Sequence, residues 1–184
     1  APGVAARTPN AGQIGFAGDA ASVLLAADLP DQAFAWYVMA QHAAQDGDAD
    51  ARAARQALWP AFALSQPQDR FPVQPEEIAD WVRDAPEAKD RHAIVVLTLL
   101  EVLGRPVPDA AWWTIYARRK QASAMPTDLP LARLTQAEAL ILIGPDITRT
   151  PAPDLAAAVD ALRAADQDAV ARGIARDAAL ASSG

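Results

Sequence analysis

Residues 93–103 read AIVVLTLLEVL, and the fold class turns on whether this stretch is a strand or a helix. Its Ile-Val-Val cluster makes it the best strand candidate in the chain, since β-branched residues pack well on a pleated surface. Eleven residues, however, is long for a strand and natural for a buried helix, and Gly104 follows directly, where a left-handed helix terminus favours glycine. The stretch is also well short of the roughly 20 apolar residues a bilayer-spanning helix needs. We therefore read a buried helix from about Glu87 to Leu103, opened after Ala85-Pro86. With no other strand signal in the chain, the expected fold is all-α, a stack of antiparallel helical hairpins in an irregular α-solenoid-like array.

Working outward, helix starts and stops are legible on both sides. Upstream, Pro75-Glu76-Glu77 predicts a short helix through Asp84, and the Pro-rich stretch SQPQDRFPVQP at 65–75 reads as a connector and a sub-boundary. Before it, Asp19 is read as the N-cap of a first helix, AASVLLAADL. Pro30-Asp31 opens a second, DQAFAWYVMAQHAAQ, which stops at Asp46-Gly47. Asp48 then caps ADARAARQALWPAFALS, giving an αα-hairpin, with a kink or break expected near Trp59 because Pro60 removes a helical hydrogen bond. Downstream, Pro108-Asp109 opens AAWWTIYARRKQ, and the SAMPTDLP linker leads to a further helix, LARLTQAEALILIG. The last hairpin comprises residues 155–165 and about 167–181. Residues 1–15, with Pro2, Gly3, Pro9, Gly12 and Gly15, read as an extended leader, leaving 16–184 as a single helical domain.

Composition narrows the class further. The 184 residues are enough to bury a core of several helices. Alanine supplies much of the 52% apolar content, while aromatics make up only 6%, so helix contacts are expected to be close and built on small residues. Alanine is the best intrinsic helix former, which biases segments such as 49–57 and 156–165. A net charge of -7 argues against a nucleic-acid partner, because nonspecific affinity for a phosphate backbone depends on many Lys and Arg contacts. Lys89 and Lys120 are the only lysines, and the arginine excess reads as the coding bias of a GC-rich genome. The absence of cysteine removes disulfides and thiolate metal sites, and it fits the cytoplasm or a cell envelope equally. The N-terminal APGVAARTPNAG has no apolar core of a signal peptide, so the chain reads as a processed form or a segment of a longer one.

One pattern recurs: proline followed by an acid at Pro30, Pro75, Pro108 and Pro153, spaced by 45, 33 and 45 residues. Pro30-Asp31-Gln32-Ala33-Phe34 and Pro108-Asp109-Ala110-Ala111-Trp112 share the form Pro-Asp-x-Ala-aromatic, and the final hairpin LAAAVDALRAADQDAVARGIARDAAL is a compact two-helix unit. In these features the chain from Asp19 onward resembles tetratricopeptide-like and related α-solenoid repeats. That resemblance implies a scaffold that presents a concave face to a protein or peptide. The family's Trp-x-x-Leu-Gly-x-x-Tyr signature does not occur in the chain, and good capping chemistry alone would also produce Pro-acid starts.

Catalytic and metal chemistry find little purchase. His42 and His92 are the only histidines and stand in no ligand spacing, so both are expected to be structural or on the surface. Asp46, Asp48 and Asp50 start like a calcium loop, but Ala51 stands where the sharp turn needs glycine and Ala57 where a bidentate Glu is needed. A solvated turn capped by Asp48 is the reading. Glu76 and Glu77 sit where acids complement a helix N-terminus. No nucleophile elbow, phosphate-cradling glycine loop or His-Glu-x-x-His helix occurs. The expectation is a protein that is not an enzyme, has no cofactor, metal or catalytic residue, and is not integral to a membrane; the alternative of a small-molecule enzyme requires a polar-lined pocket that gathers His42 or His92 with carboxylates.

The remaining candidate is the segment after Pro108. Trp112, Trp113, Tyr116, Arg118 and Arg119 combine aromatics with the chain's one basic run. Adjacent helical residues point about 100° apart, so both tryptophans cannot occupy the centre of one buried stripe. Aromatics flanked by arginine are the composition of an interface hot spot, which makes these five residues the expected partner-binding site. The alternative is core packing of the Trp pair, with the basic run complementing a helix C-terminus. Trp36, Tyr37, Trp59 and Phe62 are expected to fill gaps that alanine leaves. The partner is expected to be a protein or peptide, or else other subunits of an assembly formed from copies of the chain.

Overall fold

The computed structural model describes residues 15–120, 147 and 150–182, with the side chains of residues 119, 120 and 182 excepted. Among these the regular structure is entirely helical: α1 (Ala17–Ala26), α2 (Pro30–Gln45), α3 (Ala49–Ser65), α4 (Pro75–Asp84), a 3-10 turn (Glu87–Lys89), α5 (Asp90–Val102), α6 (Asp109–Lys120), α7 (Ala152–Ala164) and α8 (Asp168–Ser182). The leader, the SAMPTDLP linker and the helix expected over LARLTQAEALILIG lie outside the described residues. The fold is all-α, as the apolar stretch at 93–103 indicated. Two compact units divide the chain, residues 1–62 and 63–184, and the division falls inside α3.

Three connections share one turn. Asp28, Gly47 and Asp166 each take a left-handed backbone with φ of 58°, 97° and 57°. At each, the next residue's N–H reaches back over the helix end: Leu29 to the Leu24 carbonyl, Asp48 to Ala43 and Gln167 to Leu162, at 2.9, 3.0 and 2.9 Å. This closure satisfies carbonyls that a helix terminus leaves orphaned, and it lets the next helix begin after a single further residue. Three-residue connections of this kind reverse the chain, so α1–α2, α2–α3 and α7–α8 are antiparallel hairpins. Only glycine adopts this backbone without penalty, and Asp is one of the few other residues that visits it, which is why Gly47 is legible in the sequence and Asp28 and Asp166 are not.

In the first unit, α1 and α2 pack along their length. Ala17, Ala21, Ala33, Ala40 and Ala51 are fully buried, and a Cβ placed on Gly18 would meet the Ala54 Cβ at 3.6 Å, so α1 and α3 approach closely on small residues. The α2–α3 contact is aromatic: Tyr37 and Phe62 lie with ring centroids 5.0 Å apart, and Phe34 sits 5.8 Å from Phe62. Trp36, Tyr37, Trp59 and Phe62 are all buried, in keeping with a gap-filling role. The first helix begins at Ala17 rather than after Asp19, whose side chain instead occupies the first turn. Of the kink or break expected near Trp59, the break does not occur, since helix α3 runs continuously through Pro60. Every residue from 58 to 64 is buried, so packing on all sides of the helix outweighs the one missing hydrogen bond.

In the second unit α5 is central, packed against α6, α7 and α8, while α4 packs on α6. Ala93, Val95, Val96, Leu97, Leu99 and Leu100 are buried on several faces of α5, which accounts for a run with no clean helical period. Glu87 to Lys89 form a separate 3-10 turn, so α5 starts three residues later than the sequence suggests. The inward stripe of α8 is alanine throughout, Ala171, Ala175, Ala178 and Ala179, allowing its axis to lie close to its neighbours. Each Pro-acid pair stands at a helix start: Pro30 and Pro75 are the first helical residues, Pro108 precedes α6, and Pro153 is in the first turn of α7.

Candidate functional site

Helix α6 presents two different faces. Ala111 and Ile115 are buried and face its neighbours, and at this spacing Asp109, Trp113 and Tyr116 fall on the opposite side, where all three are exposed. Trp113 is 65% exposed and Tyr116 is 45% exposed. Their rings meet edge to face, centroids 5.4 Å apart and planes at 87°, a favoured geometry for aromatic pairs. Ala110 and Ala117 flank them, also exposed, so the outward face is a low apolar floor with two raised rings and a carboxylate at its N-terminal end.

Trp112 and Trp113 do not share a role. Trp112 is half-buried, and its indole N–H donates to the Glu101 carboxylate at 2.9 Å, tying α6 back to α5. Arg118 points inward. Its guanidinium pairs with the buried Asp90 at 3.1 Å and donates to the carbonyls of Val82 and Arg83 at 3.2 and 3.0 Å. These carbonyls belong to the last turn of α4, whose own partners have run out, so Arg118 caps one helix while pairing with the first residue of another. The structure thus brings Trp113 and Tyr116 together on the surface, separates Trp112 from them, and turns Arg118 away. The Arg119 side chain lies outside those described.

The same device recurs through the second unit. Arg105 is buried and donates to the Phe71 and Gln66 carbonyls at 3.0 and 2.6 Å, and Arg172 also donates to Gln66, at 3.2 Å. Arg163 donates to the Val102 carbonyl at the end of α5. Burial, and secondly the neighbouring Arg172, hold the Arg105 pKa below the ordinary arginine value. Arginine's planar fork of donors suits this work, because one side chain can satisfy two or three carbonyls at once. Whatever its genomic origin, the arginine excess has a structural use in closing helix C-termini.

The remaining chemistry-bearing residues are apart from this face. His42 is exposed on α2. His92 is buried on α5 with its ring 5.8 Å from that of Trp81, and burial, with a lesser contribution from Lys89, pushes its pKa from 6.5 down to about 4, so it is neutral at pH 7. Asp48 caps α3 through a 2.9 Å bond from the Ala51 N–H, with Asp46 and Asp50 exposed beside it. Glu77 closes the start of α4 by accepting from the Gln74 N–H at 3.2 Å. Among the described residues no cluster of three His, Asp or Glu side chains is placed to hold a metal ion. Also among them, no helix is long and apolar enough to cross a membrane.

Sequence reasoning singled out the aromatics of α6 but missed Asp109, Glu101 and Asp90. Asp109 could have been found by continuing the outward stripe from Tyr116 and Trp113 one turn toward the N-terminus. Asp90 and Glu101 could not, because their partners lie 28 and 11 residues away. Compared with protein-family models, with curated proteins and with solved structures, the chain matches none.

Proposed function

We infer that the chain is a non-catalytic helical scaffold that docks a protein or peptide partner on the outward face of α6. The observation carrying this reading is the exposed Trp113–Tyr116 pair, held edge to face on a helix that Arg118 and Trp112 anchor from behind. Trp and Tyr dominate binding hot spots because they present large, stiff, amphipathic surface at little entropic cost. A rigid helix fixes their geometry better than a loop does. The repeated hairpin turn at Asp28, Gly47 and Asp166 supports reading the whole as an irregular α-solenoid-like array of tetratricopeptide-like style, in which surface rather than chemistry carries function.

The test uses the chain as bait. Trp113→Ala is expected to leave the far-UV spectrum and thermal midpoint unchanged, since the side chain contributes little buried area. It should weaken capture of a partner identified with the wild-type bait by about tenfold or more. Equal capture by wild type and variant removes the α6 face as the docking surface. A second reading, an assembly subunit packing on copies of itself, draws on the exposed Phe16 just before α1, Val23 of α1 and Val170 of α8.

A further inference from the structure

The geometry points to an arginine-bearing segment of a partner protein as the ligand of the α6 face, its guanidinium stacked on Trp113 and paired with Asp109. This rests on the docking reading above and specifies its chemistry. Asp109 and Trp113 are four residues apart on one helix, so their side chains are neighbours, about 5–6 Å apart at Cβ. A single guanidinium laid on the indole face can therefore also offer its donor edge to the carboxylate. The Tyr116 ring meets Trp113 edge to face with centroids 5.4 Å apart, and Trp113 remains 65% exposed, which leaves indole surface open to a ligand.

Three further observations favour a cation. Asp109 makes no ion pair among the described residues, although it borders the most exposed aromatic of the second unit. The chain's arginines closest in sequence whose side chains are described, Arg105 and Arg118, turn their guanidinium groups inward onto backbone carbonyls and Asp90, so neither fills the place from within. The protein carries a net charge of -7, which attracts a basic segment and repels an acidic one. Arginine fits better than lysine. Its flat, weakly hydrated guanidinium stacks on indole and presents a fork to a carboxylate, whereas an ammonium does neither as well.

The test is a titration of the full chain, followed by NMR at the Tyr116 ring protons, with two capped pentapeptides that differ only in a central arginine or citrulline among glycines. Citrulline keeps the shape and loses the charge. The arginine peptide is expected to give saturable shifts and the citrulline peptide none. Asp109→Asn should weaken the arginine peptide about threefold, and Trp113→Ala about fivefold or more, with both variants keeping the wild-type spectrum elsewhere. Equal binding of the two peptides overturns the cation inference while leaving the face as a docking surface. Absence of saturable shifts from either peptide overturns it as well. The docking reading itself fails only on the separate outcome of unchanged partner capture by Trp113→Ala.

Discussion

Two glycines in the second unit look alike in sequence and have opposite meanings. Gly104 ends α5 with φ of 76°, and the atom a Cβ there would meet first, Arg163 Nη2, is 3.9 Å away. The cost of Gly104→Ala is thus conformational, about 1 kcal/mol of lost stability. Gly173 sits within α8, and a methyl group added there would find no other atom within 4 Å, so Gly173→Ala should raise stability by about 0.5–1 kcal/mol. Urea unfolding of the two variants checks both signs together. His92 supplies a pH dependence. Between about pH 6.5 and 4 the unfolded chain binds a proton that the buried imidazole refuses, so stability is full above this window, falls as pH drops through it and levels off below. At about 1.4 kcal/mol per unit the loss is about 3 kcal/mol. The difference in unfolding free energy between pH 7 and pH 4.5 should shrink by most of that amount in His92→Gln, and an unchanged difference would contradict the assignment.

Helices here are joined by arginines as well as by apolar contact. Arg118 links the end of α4, the start of α5 and the body of α6, and Asp90, its ion-pair partner, is only 6% exposed. Removing the guanidinium alone leaves a buried carboxylate without its cation, which costs about 2–4 kcal/mol. Arg118→Met should therefore destabilise far more than the double replacement Arg118→Met with Asp90→Leu. A double-mutant cycle by chemical denaturation reads the coupling directly, and additive single effects would show that the pair does not act as a unit. Legibility also differs by element. The starts of α2, α3, α4 and α6 were plain because proline and capping acids act locally. The start of α1, the 3-10 turn before α5 and the passage of α3 through Pro60 were not, because neighbouring side chains decide them.

At the scale of the whole molecule, the scaffold reading expects the free protein to have a mass independent of concentration, since its docking face is reserved for a different chain. Multi-angle light scattering over a wide concentration range tests this, and a mass that rises with concentration would favour the self-assembly reading instead. The amino-acid sequence by itself determined that the fold is helical, that one hairpin turns at Gly47, that four helices open at Pro-acid pairs, and that the tryptophans of α6 cannot both take the centre of one buried stripe. These follow from backbone propensity, capping and the 3.6-residue period, which act over a few neighbouring residues. Only the tertiary structure decided that Trp113, and not Trp112, is the exposed member of the pair, and that Arg118 closes α4 instead of facing a partner. Those outcomes depend on Glu101, Asp90 and the carbonyls of α4. Such groups reach α6 only when the chain has folded back on itself, at sequence separations over which no local signal survives.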